Sequence, residues 1–468
     1  MVVLNINAIS TVSYGSYTNV TNKKVNRVAS MTTNLLKEQT VGKRGANMLN
    51  KIAGMFSKKS VQDGASNLLN IFESLVKIPS PSLKEEKVSK WIVDYCKQNK
   101  IKAGLDDYGN VRINIPATDK SKKPMLLSSH MDVVGDSSPI NLVKEGEYYK
   151  TDGKRTLGAD DKAGIATALC LAHEIINSNI KHGGLELMFT RDEESGMSGI
   201  EHAKFDEINS KHVLVLDGDK LGRYENAGAG YTLATLSLKT PYGGHSGIDI
   251  HEEHRLNAAK MIAELISELP QGVYHKDESG TVTSINLGTI IAGNIQNTAA
   301  KIVEDKIVSD NYFDFFMDNS VTNVINTNAK ATYSIRSSST EKENELRKLM
   351  QEKISAFNEK YKGLVSAEMK FEDHLPKFEK SDDSTMEDVY RKACAKVGME
   401  PSVGSFHAGA ETHIYANQKN KNGEKFSPVL MGVADIYNMH SPSERVNFKT
   451  LEKGYELIKQ MFIEFNNR

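Results

Sequence analysis

Two adjacent glutamates, Glu193 and Glu194, follow the apolar run Leu185 to Phe189. The run predicts a buried strand that ends in a loop rich in carboxylates. Carboxylates at the rim of a buried sheet are costly unless they are paired or bind a cation. Because consecutive residues at a strand end point in opposite directions, one glutamate could bind a metal while the other moves a proton. The alternative is a solvated acidic turn, because glutamate is mostly an exposed residue.

A histidine and an aspartate, His130 and Asp132, stand near the end of a second apolar run, Lys123 to Val134. Their spacing of two places them on one face of a strand. A histidine that binds a metal needs an acceptor on its second ring nitrogen, and a nearby carboxylate supplies one. The pattern therefore favours His130 as a ligand and Asp132 as the residue that orients it. The alternative is a hydrogen-bonded surface pair.

Other residues of the types that bind metals lie at the ends of predicted strands and helices or in a loop. Asp160 and Asp161 precede the helix-like run 165–176, Asp217 ends a third apolar strand, and His440 lies in a turn-prone segment. Alternatives are a helix N-cap for either member of the aspartate pair and an ordinary loop histidine for His440. Together these side chains form a nitrogen and oxygen ligand set suited to two zinc-like ions that share a carboxylate.

Six ordered segments closely resemble one family, the co-catalytic zinc metallopeptidases. They are SSHMDVVG, TLGADDKAG, FTRDEESG, LVLDGD, YGGHSGIDIH and YNMHSPSERV, within roughly residues 65 to 468. This family includes peptidase T, a tripeptide aminopeptidase, and the cytosolic dipeptidases of the carnosinase and aminoacyl-histidine types. It also includes deacylases of the aminoacylase and desuccinylase types.

The resemblance implies a centre of two zinc ions per subunit, for which cobalt or manganese could substitute. His130 and Asp217 would bind one ion, and Glu194 and His440 would bind the other. Asp160 would bridge both. Such a centre lowers the pKa of a bridging water molecule toward neutrality and polarises the scissile carbonyl.

The resemblance also implies catalytic and substrate-binding roles. Glu193 would be the general base that passes a proton to the leaving amine, and Asp132 would orient its histidine. His245 would hold the oxyanion, often from the partner subunit. Arg336 would grip the substrate carboxylate, with a charged surface-strand arginine as the alternative. Glu411, in a segment similar to that of aminoacyl-histidine dipeptidases, could hold the substrate amino group.

The identity of Asp217 refines the expected activity. In the family, aspartate at this position accompanies aminopeptidases and dipeptidases, whereas glutamate accompanies deacylases. We therefore expect a dizinc aminopeptidase that cleaves di- or tripeptides from the free amino end. The alternatives are a deacylase of N-acyl amino acids and an inactive peptide-binding or scaffold protein. The resemblance further implies a cis peptide bond between Asp160 and Asp161.

The implied fold is α/β, with a zinc-exopeptidase-like, mostly parallel sheet that has helices on both faces. Residues 61–230 and 379–468 would form this catalytic domain. Residues 231–378 would form an inserted α+β, ferredoxin-like lid and dimerisation domain, through which a homodimer could assemble. Within the insert, we expect strands at 231–239 and 365–371 and helices at 256–269 and 340–361, and the segment 329–336 resembles a lid strand of the family.

Length and composition limit the number of domains, the cellular location and the possible partners. At 468 residues with 39% hydrophobic content, the chain can bury a substantial core in two or more domains. Three widely spaced cysteines suit a reducing cytoplasm, and no apolar run reaches the roughly 18 residues of an integral membrane segment. After residue 60 the chain carries 50 basic and 59 acidic residues, which gives no support for nucleic-acid binding.

Residues 1–60 form a basic leader outside the resemblance, with nine Lys and Arg residues against one acid. Residues 47–56 could form a short amphipathic helix. A disordered tail, a membrane-surface or encapsulation tag and a transit-like segment are open alternatives. We favour a flexible leader or one that docks to a partner. Residues 300–319 look like extra sequence within the lid.

Overall fold

The computed structural model describes residues 64–277, 280–293 and 321–468. The predictions for the leader, for its helix at 47–56 and for the extra sequence at 300–319 lie outside the described residues. The strands are β1 (Ala103–Leu105), β2 (Val111–Ile115), β3 (Met125–His130), β4 (Val143–Glu145), β5 (Tyr148–Lys150), β6 (Leu185–Thr190), β7 (His212–Gly218), β8 (Arg223–Gly228), β9 (Gly230–Lys239), β10 (Gly244–His245), β11 (Gly272–Lys276), β12 (Val282–Ala292), β13 (Val324–Ile325), β14 (Asn328–Ser337), β15 (Ser366–Leu375), β16 (Ser402–Phe406), β17 (Ser427–Gly432), β18 (Ile436–Tyr437) and β19 (Arg445–Asn447).

The described residues also form ten helices. They are α1 (Gly64–Val76), α2 (Glu86–Gln98), α3 (Ala159–Ile176), α4 (Glu193–Gly196), α5 (Ser198–Glu201), α6 (Ala258–Glu268), α7 (Thr340–Lys360), α8 (Thr385–Val397), α9 (Thr412–Tyr415) and α10 (Phe448–Asn466), with a 3-10 turn at Phe205–Glu207. None of these helices combines the length and apolar content needed to cross a bilayer.

The central sheet has eight strands in the order β1-β2-β6-β3-β7-β17-β8-β16. Its middle is parallel, because β3 runs parallel to β6 and β7, and β7 runs parallel to β17. The pairs β1 with β2, β2 with β6 and β17 with β8 are antiparallel. The α/β fold class is confirmed, as a mixed sheet that is largely parallel at its centre.

Apolar residues on both faces of the sheet explain why its central strands are continuous hydrophobic runs. In β3, Met125 and Leu127 face the core formed with α1, α3, α8 and α10. Leu126 faces the opposite core, which includes Ile200 of α5 and Tyr415 of α9. Helices therefore cover both faces, as the sequence predicted.

A second, antiparallel sheet has the order β11-β12-β14-β9-β15. Alternate residues of β9 are buried, and its Leu236 and Leu238 pack in one core with Ile262 of α6 and Leu346 of α7. This alternation is typical of a sheet with one face covered by helices. That residues 231–378 act as a lid or dimerisation domain remains a prediction, as do the domain boundaries.

Candidate metal centre

Three neighbouring parallel strands end at one edge of the central sheet, and each brings ligand-type residues there. His130 is the last residue of β3, and Asp217 is the penultimate residue of β7. Glu193 and Glu194 follow β6 as the first residues of α4. Because β6, β3 and β7 are adjacent and parallel, their C-terminal ends collect residues that are distant in sequence.

The aspartate pair enters the same edge from the start of α3. Asp160 and Asp161 depart from helical backbone geometry, and the peptide bond between them is cis, as the resemblance implied. The preceding Gly158 has a φ of 72°, and a Cβ there would lie 2.5 Å from Val133 Cγ1. Asp161 Oδ1 accepts the N–H of Gly164 at 3.0 Å, so this aspartate does serve the helix start.

Asp160 lies between the two histidines. Its Oδ1 is 3.0 Å from His130 Nε2, and its Oδ2 is 3.1 Å from His440 Nε2. Asp217 Oδ1 lies 3.4 Å from the same nitrogen of His130, and Glu194 Oε2 lies 3.0 Å from that of His440. The structure thus brings the five predicted ligands together in two groups that share Asp160.

A cluster of carboxylates at this edge of the sheet lies in surroundings that suit cations. Its members are Asp132, Asp160, Asp161, Glu193, Glu194 and Asp217. Within the described residues, the ion pairs of the clustered carboxylates are with histidine, and none is with lysine or arginine. Glu194 Oε1 and Asp161 Oδ2 are buried without a hydrogen-bond partner. Buried anionic oxygens are costly unless a cation compensates them.

Ligand atoms of His130, Asp160 and Glu194 lie within 4.8 Å of one another, as do those of His130, Asp161 and Asp217. These two sets share His130 and leave out His440, so they differ from the pairing implied by the resemblance, in which Asp160 is the shared residue. Imidazole nitrogen and carboxylate oxygen are donors that suit zinc and similar divalent ions. These residues could therefore hold a metal ion. The imidazole of His440 is 45% exposed, so one side of the site is open to solvent.

The crowding of charges shifts several pKa values. Burial raises the pKa of Asp217 well above its usual value, and the charge of Asp160 raises it further. Hydrogen bonds with Asp160 and Glu194 raise the pKa of His440 to about 10. Burial opposes the charged form of His130, but the Asp217 carboxylate and its hydrogen-bond partners raise its pKa. Without a cation, the cluster therefore retains protons that a metal would displace.

Asp132 supports two parts of the cluster. Its Oδ1 accepts the N–H of Glu193 at 2.9 Å, and its Oδ2 accepts the N–H of Glu194 at 3.1 Å and the hydroxyl of Ser82 at 2.7 Å. Its Oδ1 also lies 3.3 Å from His130 Nδ1, which is 3.0 Å from the main-chain oxygen of Asp132. Asp132 lies beyond the end of β3, so its contact with the Glu193–Glu194 turn did not follow from strand periodicity.

Arg336 is half-buried on β14 of the second sheet. Its guanidinium carbon lies 4.5 Å from the ring centre of Tyr231, which stacks on His374. It lines a cavity together with Gly196 and Met197, which belong to the turn after Glu193 and Glu194. Arg336 therefore lies beside the turn that follows Glu193 and Glu194, and its role toward a substrate carboxylate remains a prediction.

His245 and Glu411 are placed differently. His245 is an exposed residue of β10, where its ring accepts the N–H of Gly247 at 3.1 Å, and among the described residues its hydrogen bonds do not join it to the cluster. Glu411 is buried, accepts the hydroxyl of Ser128 on β3 at 3.1 Å, and has its pKa raised to about 7 by burial. Their roles toward an oxyanion and a substrate amino group remain predictions.

Glu444, which was not among the predicted site residues, contacts the loop of Asp160. It is buried and accepts the N–H groups of Gly158 and Ala159, each at 2.9 Å. A glutamate after Ser-Pro-Ser is typical of an exposed turn, so composition gave no indication of burial. Its place in the matched segment YNMHSPSERV was the one available signal.

A model of Peptidase family M20/M25/M40 matches residues 126–464, and the chain belongs to this family. The cytosol non-specific dipeptidase of Escherichia coli is 31% identical over 214 residues, which cover 39% of this chain and 43% of that protein. Peptidase T of Halothermothrix orenii is 26% identical over 301 residues, which cover 53% of this chain and 71% of that protein. The family inferred from the six segments is thereby confirmed.

Solved structures show the same fold. The crystal structure of aminopeptidase PepT from Bacillus cereus superposes with a TM-score of 0.71 at 23% sequence identity, covering 86% of this chain and 98% of that chain. The chain spans less than half the length of the Escherichia coli dipeptidase that it matches.

Proposed function

We propose that this protein is an aminopeptidase that uses two zinc ions to hydrolyse di- or tripeptides from their free amino end. The position of Asp160 carries the proposal, because its two oxygens face His130 and His440 separately. Each histidine also has a second carboxylate, Asp217 for one and Glu194 for the other. This arrangement suits two ions that share one bridging carboxylate.

The two ions would polarise the scissile carbonyl and lower the pKa of an attacking water molecule. Glu193 is the candidate for moving its proton. Its carboxylate is buried beside the ligands, and its main-chain N–H is fixed by Asp132. Burial raises the pKa of Glu193, and the carboxylates of Asp217 and Glu194 raise it further. A carboxylate in this environment can take up a proton and pass it to the leaving amine nitrogen.

Arg336 supports the choice of short peptides. It lines the cavity beside the Gly196–Met197 turn, where its guanidinium would bind the C-terminal carboxylate of a peptide that spans the site. His245 would complete the oxyanion site from a partner subunit, if residues 231–378 form the homodimer interface. Glu411 would hold the substrate amino group after a shift that exposes it.

The relatives agree with this choice, since they are named dipeptidase and Peptidase T. We also propose a cytoplasmic location. The name of the Escherichia coli relative includes the word cytosol, and Cys96, Cys170 and Cys394 are buried free thiols.

The test is hydrolysis of free di- and tripeptides beside their N-acetylated forms, with the full chain loaded with zinc. We expect turnover of the free peptides, its loss on chelation and its return with zinc. Glu193→Gln should abolish turnover while zinc content stays unchanged, and the exposed control Glu268→Gln should keep it. Turnover of acylated amino acids alone would identify a deacylase. No turnover with full zinc content would favour a peptide-binding protein.

A further inference from the structure

Glu444 is a buried carboxylate, 1% exposed, that spans two loops of the site. Its Oε2 accepts the N–H of Gly158 at 2.9 Å and the hydroxyl of Thr156. Its Oε1 accepts the N–H of Ala159 at 2.9 Å and that of Asp160 at 3.4 Å. One side chain therefore satisfies four donors of the segment that presents Asp160.

The same turn that carries Glu444 also carries His440. The turn joins β18 to β19, and within it the N–H of Glu444 donates to the carbonyl of Ser441 at 3.0 Å. His440 has a φ of 60°, in the left-handed region. Asp160 is consequently held twice by one turn, through its Oδ2 by the His440 ring and through its N–H by the Glu444 carboxylate.

We propose that Glu444 is a positioning residue that fixes the separation of His440 and Asp160. It would thereby set the metal affinity of the half-site formed by His440, Asp160 and Glu194. The inference rests on the proposed function. It concerns Glu444, which contacts the segment of a predicted ligand but would not itself bind metal. Outer residues that hold metal ligands typically change metal affinity about 10–100-fold when replaced.

A purely structural role is the competing explanation. Gly158, at the N-cap position of α3, has no side chain, and Glu444 supplies acceptors to the first N–H groups of that helix. Loss of a helix cap alone would lower stability and leave both zinc affinities unchanged.

Glu186 is a matched control for this alternative. It is a buried carboxylate that accepts the N–H groups of Asn209 and Ser210 at 3.1 and 2.8 Å, and the Ser210 hydroxyl at 2.6 Å. Its hydrogen bonds are made at the start of β6, away from the ligands. Glu186→Gln therefore removes a comparable set of buried hydrogen bonds without touching the site.

The experiment is a zinc titration of the metal-free full chain against a chromophoric chelator, for wild type, Glu444→Gln and Glu186→Gln. The stability of each metal-free protein is measured in parallel by denaturant unfolding. We expect Glu444→Gln to weaken one of two zinc equivalents about 10-fold or more. Glu186→Gln should be destabilised and keep both affinities.

Unchanged zinc affinities in Glu444→Gln, or equal losses in both variants, would overturn the inference. If Glu444→Gln does not fold, Thr156→Val replaces it, because it removes one donor to the carboxylate. That variant should weaken the same equivalent by a smaller factor, and unchanged affinities would again overturn the inference. A wild-type chain that binds fewer than two zinc ions would instead overturn the proposed function.

Discussion

The carboxylate of Asp132 accepts the main-chain N–H of Glu193, with 2.9 Å between Oδ1 and the nitrogen. The same oxygen lies 3.3 Å from His130 Nδ1. A single side chain thus links the ligand at the end of β3 to the proton-transfer candidate that follows β6. We therefore predict that both proposed functions of the site depend on the orientation of this buried carboxylate.

Asp132→Asn should therefore damage both functions. The amide would turn an N–H₂ group toward the N–H of either Glu193 or Glu194, so one buried donor would lose its acceptor. We expect zinc affinity to fall about 10–100-fold and the turnover of zinc-saturated protein to fall as well. Zinc titration and peptide hydrolysis measure the two effects. The exposed Asp136→Asn serves as control, and wild-type values for both variants would exclude an orienting role for Asp132.

Arg336→Met should act on substrate binding. The substitution keeps an extended side chain beside Tyr231 and removes the guanidinium that would pair with a peptide carboxylate. We expect KM for free peptides to rise about 10-fold or more, because a charge-assisted pair contributes roughly 1.5–3 kcal/mol. Peptide amides, which lack that carboxylate, should be hydrolysed equally by wild type and variant. An equal rise of KM for both substrates would argue against carboxylate recognition.

Asp383 gives a stability prediction that depends on pH. It accepts the N–H of Thr385 at 3.0 Å and pairs with Lys211 and His212. Burial opposes its charge, but hydrogen bonds from Lys211 and Thr385 hold the pKa of Asp383 well below its usual range. Because the folded pKa is lowered, the stabilisation is complete above the unfolded pKa of about 3.9 and is lost as pH falls further.

Asp383→Asn should accordingly lower the free energy of unfolding by about 1 kcal/mol at pH 7. The difference from wild type should shrink as pH falls from 4 toward 3. Denaturant unfolding at several pH values measures it, and the neighbouring exposed Asp382→Asn should show no comparable loss. A difference independent of pH would mean that the charge of Asp383 is not the cause.

Gly454 tests the packing of α10. A Cβ at this position would lie 1.8 Å from the carbonyl oxygen of Val433, so Gly454→Ala must push the helix away from the chain after β17. The higher helix propensity of alanine offsets only about 1 kcal/mol of the cost. We expect a net loss of about 1–3 kcal/mol in unfolding free energy. Gly104→Ala, where a Cβ meets no atom within 4 Å, is the control.

Sequence patterns predicted β3, β6, β7, α3 and five elements of residues 231–378, and they left the other strands and helices, among them β12, β17 and α10, unpredicted. The run Leu185 to Phe189 is β6, and the predicted lid strands and helices correspond to β9, β14, β15, α6 and α7 within a few residues. The apolar spacing of α3 starts only at Ile165, but the Asp160–Asp161 pair was predicted to stand where this helix begins, and α3 begins at Ala159. The non-helical backbone of Asp160 and Asp161 is a local feature that the apolar spacing did not indicate.

The resemblance of short segments implied the ligand cluster and the contact of Asp132 with His130, but it did not imply the other contacts that hold the ligands in place. Asp132 reaches the N–H groups of Glu193 and Glu194 only after the chain has left β3. Glu444 meets Gly158 across a long sequence separation, and no local propensity encodes such a contact. Contacts of this kind depend on the tertiary fold, which periodicity does not specify.

The place of β17 in the central sheet has a consequence for biosynthesis. β7 and β8 are consecutive in the chain, yet β17 lies between them and pairs with both. The ribosome synthesises β17 long after β7 and β8. Until then, the edges of β7 and β8 that pair with β17 are unpaired in the nascent chain. Such edges are prone to associate with other chains. Premature termination before Ser427 should therefore yield an aggregating product that cannot complete its sheet.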